Sequence, residues 1–225
     1  MTEKENPIEK RHYKGKNNSD IINFPVGLRR DFLSPINNKE VLNMPISSHR
    51  IIFKILNDVS NDQFQKLHQK DQFTLFEDDF KTENNTYARF TFKVSDISDK
   101  QDYTNIKKGL EFLENLNKGW YKSVNSKGKP IRSYGGFLSD PNISDGKISF
   151  LISSFWLEKL VNIPSYNVAY METAWVLTKS KQLLFYLWLL EIPDAGTRVD
   201  FFKLQDTYQY NYATPSIYAK NVLKA

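Results

Sequence analysis

The sequence predicts an α+β fold of helices and short antiparallel strands, and three observations predict it. Ile106, Leu110, Leu113 and Leu116 recur at the helical period, while Phe90, Phe92 and Val94 alternate as a half-buried strand does. Positive charge is concentrated on one unit that reads as a helix followed by a hairpin. Between Tyr103 and Arg132 lie seven basic and two acidic side chains, a surplus of five that equals the formal net charge of +5 for the whole 225-residue chain. Setting them aside leaves 24 basic and 24 acidic residues, a neutral remainder. A helix running into a basic β-hairpin is how a winged helix, the helix-turn-helix variant with a hairpin wing, meets a polyanion.

Composition narrows the classes. Hydrophobic residues make up 40% and aromatics 14%, enough to fill a core. The absence of cysteine excludes disulfide scaffolds, thiolate zinc sites and cysteine nucleophiles, and fits a reducing cytoplasm. No apolar run approaches the ~18 residues of a membrane span, and the charged N-terminus has no apolar signal core.

Residues 1–44 read as a polar arm and a loop-rich lead-in. Lys10, Arg11, His12, Lys14 and Lys16 surround Gly15, and Pro25 and Pro35 interrupt the lead-in. After Pro45, a helix is expected with Ser47 or Ser48 as its N-cap and Ile51, Ile52, Ile55, Leu56 and Val59 as its apolar face. His49, near its start, reads as a surface or capping residue. A short second helix is expected within Gln63 to Asp71, a strand over Gln72 to Phe76, a turn at Asn84-Asn85, and a strand over Tyr87 to Val94.

The focal helix starts near Tyr103. Lys107, Lys108, Glu111, Glu114 and Lys118 point outward, Glu114 and Lys118 are spaced as an i,i+4 pair, and Gly119 is the expected stop. Trp120 to Val124 is a strand, Asn125-Ser126-Lys127-Gly128 a turn, and Lys129 to Leu138 a second strand. Asp140-Pro141-Asn142 is a further turn and Lys147 to Ile152 a third strand, giving one antiparallel sheet whose first hairpin is the wing.

Ser153 to Val161 reads as a short helix and Ala169 to Leu177 as a strand or extended segment. Ser180 caps a helix whose Leu183 to Leu190 stretch is apolar all round, which places it in the middle of the fold. Arg198 to Phe202 reads as a strand and Leu204 to Tyr208 as a short helix. Pro215 after Thr214 opens a last helix through Leu223.

Four of these segments resemble the winged-helix replication initiators of iteron plasmids: the Ser47–Val59 helix; the Ile106–Lys118 helix running into Trp120-Tyr121-Lys122-Ser123-Val124; Gly146-Lys147-Ile148-Ser149-Phe150 before an apolar helix at Phe155–Leu160; and a closing series. That series is Ser180, Phe185-Tyr186-Leu187-Trp188-Leu189, Val199-Asp200-Phe201-Phe202-Lys203-Leu204, Tyr212, and Ile217-Tyr218-Ala219-Lys220-Asn221-Val222-Leu223-Lys224-Ala225. Leu184 departs from the pattern, since the family usually has Arg there. The motifs are mostly hydrophobic spacing, and the likeness covers roughly residues 45–225. It implies a first winged-helix domain that dimerises and adds phosphate contacts to origin or operator DNA. A second winged helix, which reads the iterons, would begin where this sequence stops. It also implies host replication proteins as further partners. A winged-helix transcriptional regulator without a role in replication is the alternative.

The expected DNA-binding residues are Lys107, Lys108, Lys118, Lys122, Lys127, Lys129 and Arg132, each adding a screened, sequence-independent phosphate contact. Asn105 and Asn115 are not assigned to base edges. No catalytic constellation emerges, so no enzymatic activity, cofactor or metal is expected. His12, His49 and His68 never form the His-x-His pair of rolling-circle nickases, and no Gly-x-x-x-x-Gly-Lys-Ser/Thr loop is present. Glu77-Asp78-Asp79 reads as a solvated loop. The aromatic strands at Tyr87–Phe92 and Tyr134–Phe137 are candidates for pairing across a two-fold axis.

Overall fold

The computed structural model describes residues 21–65, 87–98, 102–124, 129–161, 165–193 and 195–223. The N-terminal arm, the expected strand at Gln72–Phe76, the Asn84-Asn85 turn, Glu77-Asp78-Asp79, His12, His68 and the 125–128 turn with Lys127 lie outside those residues.

The chain is a mixed α+β protein built from small antiparallel sheets around a helical centre. In order it forms β1 (Ile21–Pro25), α1 (Ile46–Gln65), β2 (Tyr87–Lys93), α2 (Tyr103–Asn115), β3 (Gly119–Val124), β4 (Pro130–Gly135), β5 (Ser139–Ser144), β6 (Lys147–Ser153), α3 (Ser154–Val161), β7 (Tyr166–Tyr170), α4 (Thr173–Val176), α5 (Ser180–Leu189), α6 (Phe201–Tyr208) and α7 (Pro215–Tyr218). Helical turns at Leu28–Phe32, Lys39–Asn43, Val94–Asp96 and Ala219–Leu223 complete the described elements.

The central element is α1. Ile51, Ile52, Phe53, Ile55, Leu56 and Val59 are all buried, and the helix packs on α2, α3, α4, α5 and β1. The expected centre, α5, is less enclosed: Leu183, Leu184, Phe185 and Leu187 are buried, but Leu189 is exposed. An apolar circumference marks a buried helix, yet here the neighbours gather round α1, whose buried Ser47, Ser48 and His49 find partners.

Those partners correct three expectations. Ser47 and Ser48 do not cap their own helix; Ser47 Oγ donates to the Asn105 carbonyl at 2.6 Å and Ser48 Oγ to the Gly109 carbonyl at 2.9 Å. His49 is buried, its Nε2 sharing a 2.7 Å hydrogen bond with Ser180 Oγ. Ser180 is thereby the first residue of α5 and makes no cap, the N-cap position falling to Lys179.

The lead-in is more than a loop. Ile22 and Phe24 of β1, with Leu28, Leu33, Val41, Leu42 and Met44, belong to the core, and β1 pairs antiparallel with β7. The second sheet has the order β2-β6-β5, with Phe90 opposite Phe150 and Phe92 opposite Ile148. The rings of Phe90 and Phe150 stack at 5.9 Å, turned into the core. Phe137 is buried too, edge-on to Trp156 at 5.5 Å. Phe90, Phe137 and Phe150 thus fill the protein's own core, while Tyr134 of the second candidate pairing strand stays exposed.

Further segments differ from expectation, among them 169–177, where the strand ends at Tyr170 and Thr173–Val176 is a short helix. The 129–138 strand breaks at Gly136, and Asp140-Pro141-Asn142 is not a turn but part of β5, where the register with β6 shifts. An edge position with a bulge accommodates proline because no ladder N–H is needed there. The turn lies instead at Asp145-Gly146, both at positive φ. Arg198–Phe202 is not a strand; Asp200 accepts from the Lys203 N–H at 2.9 Å and caps α6. The cap at Thr214 with Pro215 opening α7 is as expected.

Candidate nucleic-acid interface

The helix-to-hairpin unit forms over the residues expected. Asp102 caps α2 by accepting from the Asn105 N–H at 3.1 Å. Ile106, Leu110, Leu113 and Leu116 are buried, so Lys107, Lys108 and Glu111 are left on the outward side. The helix ends at Asn115, and the left-handed residue that turns the chain is Asn117 (φ 51°), not Gly119, which is the first residue of β3. Asn tolerates this conformation because its short polar side chain can hydrogen-bond locally. Lys118 falls past the end of the helix, out of register with Glu114, and its ammonium reaches Asn115 Oδ1 at 3.4 Å.

The β3–β4 pair is a separate two-stranded ribbon and does not continue into the β2-β6-β5 sheet. Its register fixes two faces, because residues opposite one another in an antiparallel pair point the same way. Tyr121 and Ser123 turn inward opposite Ser133 and Ile131. The Tyr121 ring stacks on Phe155 of α3 at 4.4 Å, and Lys159 Nζ lies 4.8 Å from the same Phe155 ring. Ser123 and Ser133 hydroxyls hydrogen-bond across the strands at 3.0 Å.

The other face is open. Trp120 stands opposite Tyr134 and Lys122 opposite Arg132. Trp120 is 73% exposed and Tyr134 58%, their rings meeting edge to face at 5.4 Å. The two cationic side chains are exposed as well, and no acidic residue occurs anywhere from Gly119 to Gly135.

The expected cations are therefore arranged in three groups. Lys122 and Arg132 are brought side by side on the ribbon. Lys118 at its base and Lys129 toward its tip, just before Pro130, are exposed. Lys107 and Lys108 sit on a separate element, α2, where Lys107 is 3.9 Å from Glu111 and so partly neutralised. Lys127 is outside the described residues. Asn105 and Asn115 are engaged locally: the Asn105 amide donates to Asp102, and the Asn115 amide donates to the Glu111 carbonyl at 2.8 Å.

Sequence reasoning left Trp120 out of the site and gave Tyr134 only as a candidate for two-fold pairing, not as a neighbour of the cations. Their signal was available, since each is two positions from a cation on a strand and so shares its face. Among the described residues, no cluster of three or more His, Asp or Glu is placed to hold a metal ion, and no helix is long and apolar enough to cross a membrane. Comparison with family models, curated proteins and solved structures yields no match for this chain.

Proposed function

We propose that this chain binds double-stranded DNA through the backbone, as the first winged-helix domain of a plasmid replication initiator acting as a homodimer. The observation that carries the DNA reading is the open face of the β3–β4 ribbon, where Lys122 and Arg132 stand opposite each other on a segment without acidic residues. Phosphates are the complementary ligand for two adjacent, exposed cations, and neutralising them releases counterions from the duplex. Arg132 is able to engage a phosphate in bidentate fashion, while Lys122 acts as a point charge. Lys118 and Lys129 extend the positive strip, and Lys107 and Lys108 add to its field. The replication and dimer parts of the reading draw their support from the sequence likeness to iteron-plasmid initiators. In this role the protein binds and holds DNA, and no bond is made or broken by its side chains.

Titrating labelled duplexes and following anisotropy tests the reading. One duplex carries direct repeats of the origin type and the other a scrambled sequence. The expected result is binding to both, weakened alike by Lys122→Ala with Arg132→Ala. Absence of duplex binding at low salt, or indifference to the double substitution, overturns it. A plasmid carrying the gene beside its origin reports on replication: the double variant is expected to lose plasmid maintenance. Light scattering on the free protein gives the mass of a dimer if the two-fold reading holds.

A further inference from the structure

From the Trp120–Tyr134 pair we infer a second site on the ribbon, a stacking platform for unpaired bases of single-stranded DNA. This rests on the proposal that the ribbon binds DNA. Large aromatic side chains are commonly buried, and among the described residues Phe90, Phe137, Phe150 and Trp156 are all in the core. Trp120 and Tyr134 are the opposite case, and the ribbon is not short of a packing surface, because Tyr121 on its inner face already anchors it to Phe155. The outward pair is thus left over from folding.

The neighbours of the pair define the ligand. The next rung of the same face is Lys122 and Arg132, about 7 Å along the strand. That spacing is close to one nucleotide of an extended single strand. Aromatic rings adjoining cations on a segment without acidic residues suit a chain of alternating π-faces and phosphates, and not a basic or purely apolar partner. The two ring planes are inclined at 62°, so the pair forms a notch: a base laid on one ring abuts the edge of the other. A duplex offers its phosphates to the cation rung but keeps its bases stacked inside, so the aromatic rung is used only where the strands have separated. The ribbon then holds the opened strand against reannealing.

The test uses the full chain and two probes, a labelled oligothymidylate and a labelled duplex of equal length. Trp120→Ala with Tyr134→Ala is expected to weaken oligothymidylate binding at least about tenfold, the loss typical of one stacked base. Duplex binding is expected to change less than about twofold. Trp120→Phe with Tyr134→Phe, which keeps two rings, is expected to restore single-strand binding. Tryptophan emission is expected to be quenched by oligothymidylate in the wild type and not in Trp120→Phe, because Trp156 is buried and Trp175 and Trp188 are partly covered. If the alanine pair binds oligothymidylate as the wild type does, the platform is refuted while the backbone reading stands. If neither probe binds the wild type, the DNA reading itself falls.

Discussion

Gly136 lies against the backbone carbonyl of Glu114, so close that a Cβ on the glycine would overlap that oxygen. The next residue, Phe137, donates its N–H to the Leu116 carbonyl at 3.1 Å. Between them these contacts lock the exit of the β3–β4 ribbon onto the end of α2, and so fix where the ribbon's cations stand relative to the helix. A carbonyl cannot swing aside as a side-chain tip does. Gly136→Ala should therefore cost about 1–3 kcal/mol through overpacking. Urea unfolding checks it, and an unchanged midpoint at constant slope would mean that the contact is not maintained.

A second close approach joins α1 to α2. A Cβ at Gly109 would run into the Ser47 hydroxyl and the Ser48 backbone nitrogen. Helix propensity alone favours alanine over glycine by ~1 kcal/mol, but the clash opposes it, and Gly109→Ala is expected to destabilise on balance. Because part of the obstruction is a flexible side chain, Ser47→Gly in the Gly109→Ala background should recover some of the loss. A double-mutant cycle measures this, and simple additivity of the two changes would count against this packing of α1 on α2.

His49 makes stability depend on pH. Burial lowers its imidazole from the ordinary 6.5 to about 3. The unfolded chain then binds a proton between those values and the folded chain does not. The contribution is complete above pH 6.5 and declines as pH falls toward 3, by about 1.4 kcal/mol per pH unit within that window. His49→Gln should give a shallower fall in stability between pH 6.5 and 5 than the wild type. Parallel curves for the two proteins would contradict a neutral, buried imidazole.

Arg29 is buried and paired with Glu191, which also receives Arg30 Nε at 2.6 Å. Removing the carboxylate strands the buried guanidinium, whose burial already pulls its pKa down to about 10. Glu191→Ala is expected to cost ~3 kcal/mol. Arg30 is largely exposed, and its replacement by Ala should cost less than about 1 kcal/mol. Chemical denaturation of the two variants separates the cases, and equal effects would deny the buried pair its role.

The helix-to-hairpin unit was legible because its signals are local. Leu110 and Leu113 mark the buried face by period, and the outward cations follow from the same period. What was missed depends on contacts between distant segments. Gly136 looks like a mid-strand glycine until Glu114 is placed beside it, and Ser47 and Ser48 look like caps until Asn105 and Gly109 arrive to accept their hydroxyls. His49 reads as exposed because histidine usually is, and only the distant Ser180 makes its burial tolerable. Asp200 was a readable cap, but the β-favouring Val199, Phe201 and Phe202 around it suggested a strand. The cations of the candidate site were nameable from sequence. That Lys122 and Arg132 are partners while Lys107 and Lys108 sit on another element needed the strand register and its two faces.

The most direct test of the DNA reading is the salt dependence of duplex binding. The slope of log K against log salt counts the phosphates neutralised, about 0.9 for each cation. Lys122→Ala with Arg132→Ala should reduce that slope by roughly 2, with the same reduction on any duplex sequence. A slope equal to that of the wild type would show that these side chains do not hold phosphates, and the ribbon would lose its part in gripping DNA.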